Sequence, residues 1–431
     1  MDLKTQEILQ TLFAISPSVL NAVTRAEEAI SIKHSAIDDI SAYNHYKILN
    51  AFQIIRVCDS HFSWNTGYGY NDSGKLAMSK VFADVFKAED ALVRPIIVSG
   101  THALALILSG VLRPGDEIIY CTGGPYDTLY EVIGLRGQGM GSLKEFGVTY
   151  KQVDLLEDGG IDHESVAGSI TKATRMVCVQ RSTGYAWRKA ITIADIRAWV
   201  SQVKHLNPDI ICMVDNCYGE FIEREEPIEA GADVMAGSLI KNPGGGLALT
   251  GGYIAGRADL VKQISYRMTC PGIGDECGLT FGQTRSILQG LFLAPRAVAS
   301  ALKGAVLCSK VFSDLGYAVR PDSDALRSDI IQLVRLDSKE AVLAFCEGIQ
   351  AAAPVDAFVK PTPSAMPGYE DEVIMAAGAF VQGSSIELSA DGPARPPYIV
   401  CFQGGLTYEH SKFGIMKALQ TMYDRGLMKN I

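Results

Sequence analysis

Between about residue 75 and residue 255, short apolar runs alternate with helix-forming stretches, and this alternation constrains the fold more than any other feature of the chain. Runs at about 95–99, 117–120, 149–153, 175–180, 209–215, 233–239 and 252–255 are bounded by Gly, Asp and Asn and read as strands. Helices are expected to start near Lys75, Thr101, Tyr126, His163 and Ile193. Strands that take turns with helices form a mainly parallel sheet with helices on both faces, so the predicted class is α/β. Ahead of this region, residues 1 to about 56 read as helical, broken at Ser16-Pro17-Ser18 and then amphipathic from about 19 to 52. Helices at about 257–268 and 281–315 lead out of it. Beyond about 316 the pattern becomes a smaller α+β unit, with strands near 330–335 and 397–402 and a last helix from about His410. The expected organisation is a helical arm (1–60), a large α/β domain (61–300) and a small α+β domain (301–431).

Composition narrows the function. With 431 residues, 48% apolar and 20% charged, the chain has the make-up of a well-buried globular enzyme. Its formal charge of -9, with no basic stripe, argues against nucleic acid or an anionic membrane as partner. The apolar runs read as too interrupted to span a bilayer, and the first residues lack the layout of a signal peptide. Ten cysteines include no C-x-x-C pair, and several sit inside apolar runs as small hydrophobes. A cytoplasmic location is therefore expected. No histidine spacing suggests a metal. The glycine-rich segment 134–141 does not follow a strand, which argues against a dinucleotide fingerprint.

Lys241 stands between an apolar, strand-like stretch and the turn Asn242-Pro243-Gly244-Gly245-Gly246. Burial lowers the pKa of a lysine and makes the amine a better nucleophile, which is what a Schiff-base lysine requires. The plain alternative is a solvated lysine. Asp215 closes the preceding apolar strand, where open α/β sheets place their ligands, and a carboxylate there can pair with a protonated ring nitrogen. It can equally cap the next turn. Ser99-Gly100-Thr101 opens an apolar helix and offers free N–H groups and hydroxyls suited to a phosphate, or serves as an ordinary N-cap. Tyr126 can stack on a planar ring or anchor a helix start. Phosphate cradle, aromatic, acid and lysine thus occur in the order a pyridoxal-phosphate site would use.

These residues resemble the large-fold, aspartate-aminotransferase-type pyridoxal-phosphate enzymes, and among them the methionine gamma-lyase-like family that includes aluminium-resistance proteins and cystathionine beta-lyase-like proteins. The resemblance rests on Thr66-Gly67-Tyr68-Gly69-Tyr70, Val98-Ser99-Gly100-Thr101-His102-Ala103, Pro125-Tyr126-Asp127-Thr128-Leu129, Asp215-Asn216-Cys217-Tyr218-Gly219-Glu220-Phe221, Gly237-Ser238-Leu239-Ile240-Lys241-Asn242 and the late segment 387–406. It implies a carbon–sulfur lyase that uses pyridoxal 5′-phosphate on a small sulfur-containing amino acid such as cystathionine or methionine. An aminotransferase, a decarboxylase or another amino-acid-transforming enzyme on the same fold, or a pyridoxal-phosphate-binding protein without turnover, would fit the same residues. By the same resemblance, Lys241 holds the cofactor and moves protons, Asp215 pairs with the ring nitrogen, and Tyr126 stacks on the ring as a second catalytic residue. Ser99, Gly100, Thr101 and Ser238 take the phosphate, and Gln180 ends the strand near the cofactor hydroxyl, where the family typically carries Asn. Tyr68 or Tyr70 reaches the phosphate of a neighbouring subunit in a homodimer or homotetramer with shared sites, and Arg395 grips the substrate carboxylate. Ile240 stands where better-known lyases of this type carry a hydroxyl residue, and Lys75 is the nearest cation after Tyr68 and Tyr70.

Overall fold

Three helices begin the chain: α1 (Leu3–Thr11), α2 (Pro17–Ala29) and α3 (Ser31–Ile54). The structure, a computed structural model, describes residues 1–366 and 371–429. Pro17 sits in the first turn of α2, where its missing N–H costs nothing, and Ser16 caps the helix by accepting the Val19 N–H. The single long stretch expected over 19–52 is in fact two helices, because the Ile30 N–H closes on Glu27 O and ends α2.

The chain divides into two compact units that do not follow its linear order. One comprises residues 43–183 and 190–294, the other residues 1–42, 184–189 and 295–431. The first contains α4 (Ser73–Val85), β1 (Asp90–Arg94), α5 (Gly100–Val111), β2 (Glu117–Tyr120), α6 (Leu129–Ile133), β3 (Thr149–Gln152), α7 (His163–Ser169), β4 (Thr174–Gln180), α8 (Ile193–Leu206), β5 (Ile211–Asp215), β6 (Val234–Ser238), β7 (Gly252–Gly256) and α9 (Ala258–Met268). Its seven strands lie in the order β1-β7-β6-β5-β4-β2-β3. Neighbours from β3 to β6 pair in parallel, and β7 runs antiparallel to both β6 and β1. The mainly parallel α/β sheet expected from the alternation is therefore present. One strand lies elsewhere than expected: the first is Asp90–Arg94, and 95–99 is the connection into α5. Pro95 has no N–H to give a ladder, so pairing stops before it.

Apolar burial holds this unit together. Leu104, Ile107, Leu108 and Val111 of α5 are buried in one cluster with Ile118, Met176, Met213, Val234 and Ile254 from five strands and Ile264 of α9. Each such side chain contributes about 1.5–3 kcal/mol relative to exposure. The α5–α9 contact is close: a Cβ on Gly110 would lie 2.9 Å from the Ile264 Cα. Arg181, fully buried, donates to Asn216 Oδ1 (2.9 Å), Gly219 O (2.8 Å) and Glu223 Oε1 (2.9 Å), and lies 3.5 Å from the buried Glu226.

α10 (Thr284–Asp314) follows. By length and composition it is apolar enough to cross a membrane, contrary to the expectation from the interrupted runs; 78% of its most apolar window is buried in the protein, as in a core helix. The second unit then adds β8 (Ala318–Arg320), β9 (Gln332–Arg335), α11 (Lys339–Ala351), β10 (Val373–Ala376), β11 (Ser389–Pro393), β12 (Ile399–Gln403) and α12 (Tyr408–Asp424), with its antiparallel sheet ordered β10-β11-β12-β9-β8. The amino-terminal helices fasten to α12: the Ser16 N–H donates to Gln420 Oε1 (2.8 Å), Tyr408 Oη donates to Glu27 Oε1 (2.8 Å), and Lys412 pairs with Glu27 (2.5 Å). Phe13 and Phe413 meet edge-on with ring centroids 4.6 Å apart.

Candidate active site

Strand register brings the central residues together. Gln180 is the partner of Asp215 across β4 and β5, and Asp215 is the partner of Ala236 across β5 and β6. Ser238 ends β6, and the Lys241 N–H turns back to Ser238 O (3.3 Å). The Gln180 N–H donates to Thr122 Oγ1 (3.1 Å), which extends the row past β2. Thr122, Gln180, Asp215 and Ser238 therefore line the carboxyl edge of a parallel sheet, the usual ligand position in such folds.

Asp215, Gln180 and Ser238 are buried, and Lys241 is half-buried. Asp215 Oδ1 accepts the Cys217 N–H (3.1 Å), while Gln180 Nε2 donates to Ser182 O (3.3 Å). The Lys241 Nζ lies 3.9 Å from the centroid of the Tyr218 ring. The expected lowering of the lysine pKa does not hold. Burial does pull it down, but Cys217, Tyr218, Asp215 and Glu220 outweigh burial and hold the amine above the usual lysine value. Burial pushes the Cys217 thiol itself up, so it is a neutral thiol at neutral pH.

The start of α5 abuts this row. A Cβ on Gly100 would sit 3.1 Å from Cys217 Sγ and 3.3 Å from Ser238 Cβ, so glycine lets the helix end come near without pushing these neighbours back by a few tenths of an ångström. Ser99 Oγ caps α5 by accepting the His102 N–H (3.0 Å), and the Ser99 carbonyl takes the Ala103 N–H. The Gly100 and Thr101 N–H groups begin the helix, where no carbonyl of the preceding turn exists to receive them. Thr101 Oγ1 meets Thr128 Oγ1 at 2.6 Å, which ties the 125–129 turn to α5. Tyr126 is half-buried on that turn, and its carbonyl accepts the Leu129 N–H (2.8 Å). The helix expected near Tyr126 begins at Leu129.

Tyr68, Tyr70, Lys75 and Arg395 each have surroundings of their own. Tyr68 and Tyr70 are 71% and 56% exposed, with ring centroids 5.4 Å apart. Lys75 is buried and donates to Gly69 O (3.1 Å) and Glu276 O (2.7 Å), so it anchors the tyrosine segment to the backbone. Arg395 belongs to the other unit, is exposed, and pairs with Asp371 at 2.5 Å.

Sequence reasoning gave no role to Glu220 or Tyr253. Glu220 is fully buried, accepts from Tyr253 Oη (2.8 Å), and has its carboxyl pushed up to about 8, chiefly by burial. The available signal was an acid between Gly219 and Phe221, directly after a buried strand.

A family model described as methionine gamma-lyase matches residues 19–423. The chain belongs to the methionine gamma-lyase family. Within reach of this family, the protein YnbB of Bacillus subtilis (strain 168) is 51% identical over 396 residues, covering 92% of this chain and 94% of that protein. A solved structure of a carbon-sulfur lyase involved in aluminum resistance from Clostridium novyi NT is 50% identical, covers 97% of this chain and 99% of its own, and superposes with a TM-score of 0.94. The pyridoxal-5′-phosphate dependent protein YhfS from Escherichia coli is 16% identical, with a TM-score of 0.60 over 90% of this chain and 97% of its own, a likeness of fold alone. The large parallel sheet with its smaller antiparallel sheet is thus the fold of pyridoxal-phosphate enzymes of the aspartate-aminotransferase type.

Proposed function

We propose that the protein is a pyridoxal-phosphate-dependent carbon–sulfur lyase that cleaves a sulfur-containing amino acid such as cystathionine or methionine by β- or γ-elimination. The observation that carries this reading is the single row Gln180–Asp215–Ser238 with Lys241 on the turn that follows, in a chain of the methionine gamma-lyase family.

The residues present fit the cofactor. A helix amino terminus opening at Gly100 and Thr101 lies against Ser238, a donor set suited to a phosphate, with Ser99 at the cap. Asp215, buried at a strand end, is a carboxylate suited to a protonated pyridine nitrogen, and Tyr126 supplies an aromatic face on a turn tied to α5. Lys241 would hold the aldehyde carbon, and Gln180 would face the ring beside Asp215. When bound, pyridoxal phosphate supplies an electron sink for the pair left on the substrate Cα. Lys241 would take the Cα proton and return protons at the neighbouring carbon while the thiol departs. Arg395 would grip the substrate carboxylate, and Tyr68 or Tyr70 of a second copy would complete the phosphate contacts in a homodimer or homotetramer.

The test is a substrate panel of cystathionine, cysteine and methionine, scored for thiol, keto acid and ammonia. Release of all three without an added keto-acid acceptor supports the lyase. Turnover that requires such an acceptor, or a bound chromophore that turns over nothing, overturns it.

A further inference from the structure

The glycine-rich segment 134–141 follows α6 rather than a strand, and nothing above uses it. Gly134 ends α6 in the left-handed conformation (φ 94°), and its N–H and that of Leu135 both return to Tyr130 O (2.9 and 2.8 Å). The chain then doubles back along the helix end: the Leu143 N–H donates to Val132 O (2.9 Å) and the Lys144 N–H to Ile133 O (3.1 Å). Glycine is what allows so tight a return, since a Cβ on Gly134 would lie 2.8 Å from Lys144 Cβ, and Gly137 is again left-handed (φ 76°). Half-buried Arg136, between these two glycines, is thereby aimed back across α6. Its guanidinium carbon lies 5.0 Å from the centroid of the Tyr130 ring, and its Nη2 donates to Asp127 O (2.8 Å).

We propose that Arg136 is a positioning residue for Tyr126, clamping the turn 125–129 so that the tyrosine ring keeps its place against pyridoxal phosphate. The inference rests on the reading of Tyr126 given above.

The turn is held at its two ends and needs a grip in the middle. At one end Pro125 has a fixed φ, and at the other Thr128 Oγ1 meets Thr101 Oγ1 of α5 at 2.6 Å. Within the turn, Tyr126 O accepts the Leu129 N–H (2.8 Å). Asp127 O, on the residue after Tyr126, accepts the Tyr130 N–H at 3.2 Å, at the long end of backbone bonds. Arg136 supplies that carbonyl with a second, shorter and charge-assisted bond (2.8 Å). The Tyr130 ring limits where the guanidinium can go, because a planar cation stacked on an aromatic face has its donors fixed at the edge of that stack. Without the guanidinium, Asp127 O keeps one long bond, and the backbone next to Tyr126 is free to turn.

The experiment uses the full chain and two readouts, one of them independent of the cofactor. In the cofactor-free chain, hydrogen exchange followed by mass spectrometry should be about tenfold faster over residues 126–130 in Arg136→Ala than in wild type, the loss of about one charged hydrogen bond. In the loaded chain, Arg136→Ala should raise the Kd for pyridoxal phosphate about tenfold and reduce the visible circular dichroism of the bound cofactor, a signal that follows the placement of groups against its ring. Arg136→Lys keeps a cationic donor without the planar stack and should recover part of both effects. Tyr130→Leu removes the face under the guanidinium and should shift both readouts the same way by a smaller factor; it carries the test if Arg136→Ala does not fold. Exchange that matches wild type in the folded variants would overturn the proposal. So would faster exchange with unchanged affinity and dichroism, which would make Arg136 a brace for the loop alone. A wild-type chain that binds no pyridoxal phosphate would sink the functional reading instead, while faster exchange in Arg136→Ala would still uphold the clamp on the turn.

Discussion

The Lys241 Nζ stands 3.9 Å from the centroid of the Tyr218 ring, and Tyr218 holds the left-handed backbone conformation (φ 71°) to put its face there. A bulky residue in that region is strained, and such strain persists where the surroundings fix it. The ring offers the ammonium a partner that is not an anion. Replacing Tyr218 with Ala should destabilise the cofactor-free chain by at least about 1 kcal/mol in urea unfolding, and Phe, which keeps the face, by less than half of that. Equal losses in the two variants would assign the effect to the hydroxyl instead.

Gly237→Ala tests the packing under the site. The new methyl would meet Glu220 Oε1 at 2.5 Å and the Tyr253 ring at 2.6 Å, both fully buried. The expected cost is about 1–3 kcal/mol in unfolding free energy. A neutral substitution would mean that the carboxyl can leave β6 at no cost.

Glu220 also predicts a pH dependence. Its carboxyl is raised from 4.5 to about 8, so between those values the folded chain keeps a proton that the unfolded chain has lost. Its stability contribution is fully present below about pH 4.5 and is lost as pH rises through about 8. Lys241 does not oppose this trend, since its raised pKa and the ordinary value of 10.5 both lie above the window. Urea midpoints of the cofactor-free wild type should fall from pH 5 to pH 8 more steeply than those of Glu220→Gln, by about 1.4 kcal/mol per unit of raised pKa. Parallel profiles would remove Glu220 from the account.

Arg395 is held by Asp371 at 2.5 Å, with 57% of its side chain exposed. A guanidinium that exchanges an aspartate for a substrate carboxylate loses its fork geometry on conversion to lysine. Arg395→Lys should raise KM about tenfold or more and leave the absorbance of bound pyridoxal phosphate unchanged. An unaltered KM would move the carboxylate site elsewhere.

Much of the large sheet was legible because its strands are continuous apolar runs: 175–180 and 209–215 fall within two residues of β4 and β5. The small sheet was less so. Ser389–Pro393 reads Ser-Ala-Asp-Gly-Pro, with no large apolar or β-branched residue to mark a strand, and it is held by its neighbours β10 and β12. Lys241 and Asp215 could be picked out because each follows an apolar strand. Glu220 and Tyr253 could not be paired that way, since they meet across Gly237 only because β7 lies beside β6. The sign of the Lys241 shift escaped for the same reason: burial is visible in a linear run, whereas the opposing groups come from the end of β5 and the turn after it.

The most direct test of the account is where pyridoxal phosphate attaches. The full chain is loaded with the cofactor, reduced with borohydride, digested and mapped by mass spectrometry. The account predicts one pyridoxyl group, on the peptide that carries Lys241, visible absorbance before reduction, and neither in Lys241→Ala. A wild-type chain that stays colourless with added cofactor, or a label on another lysine that survives Lys241→Ala, would contradict it.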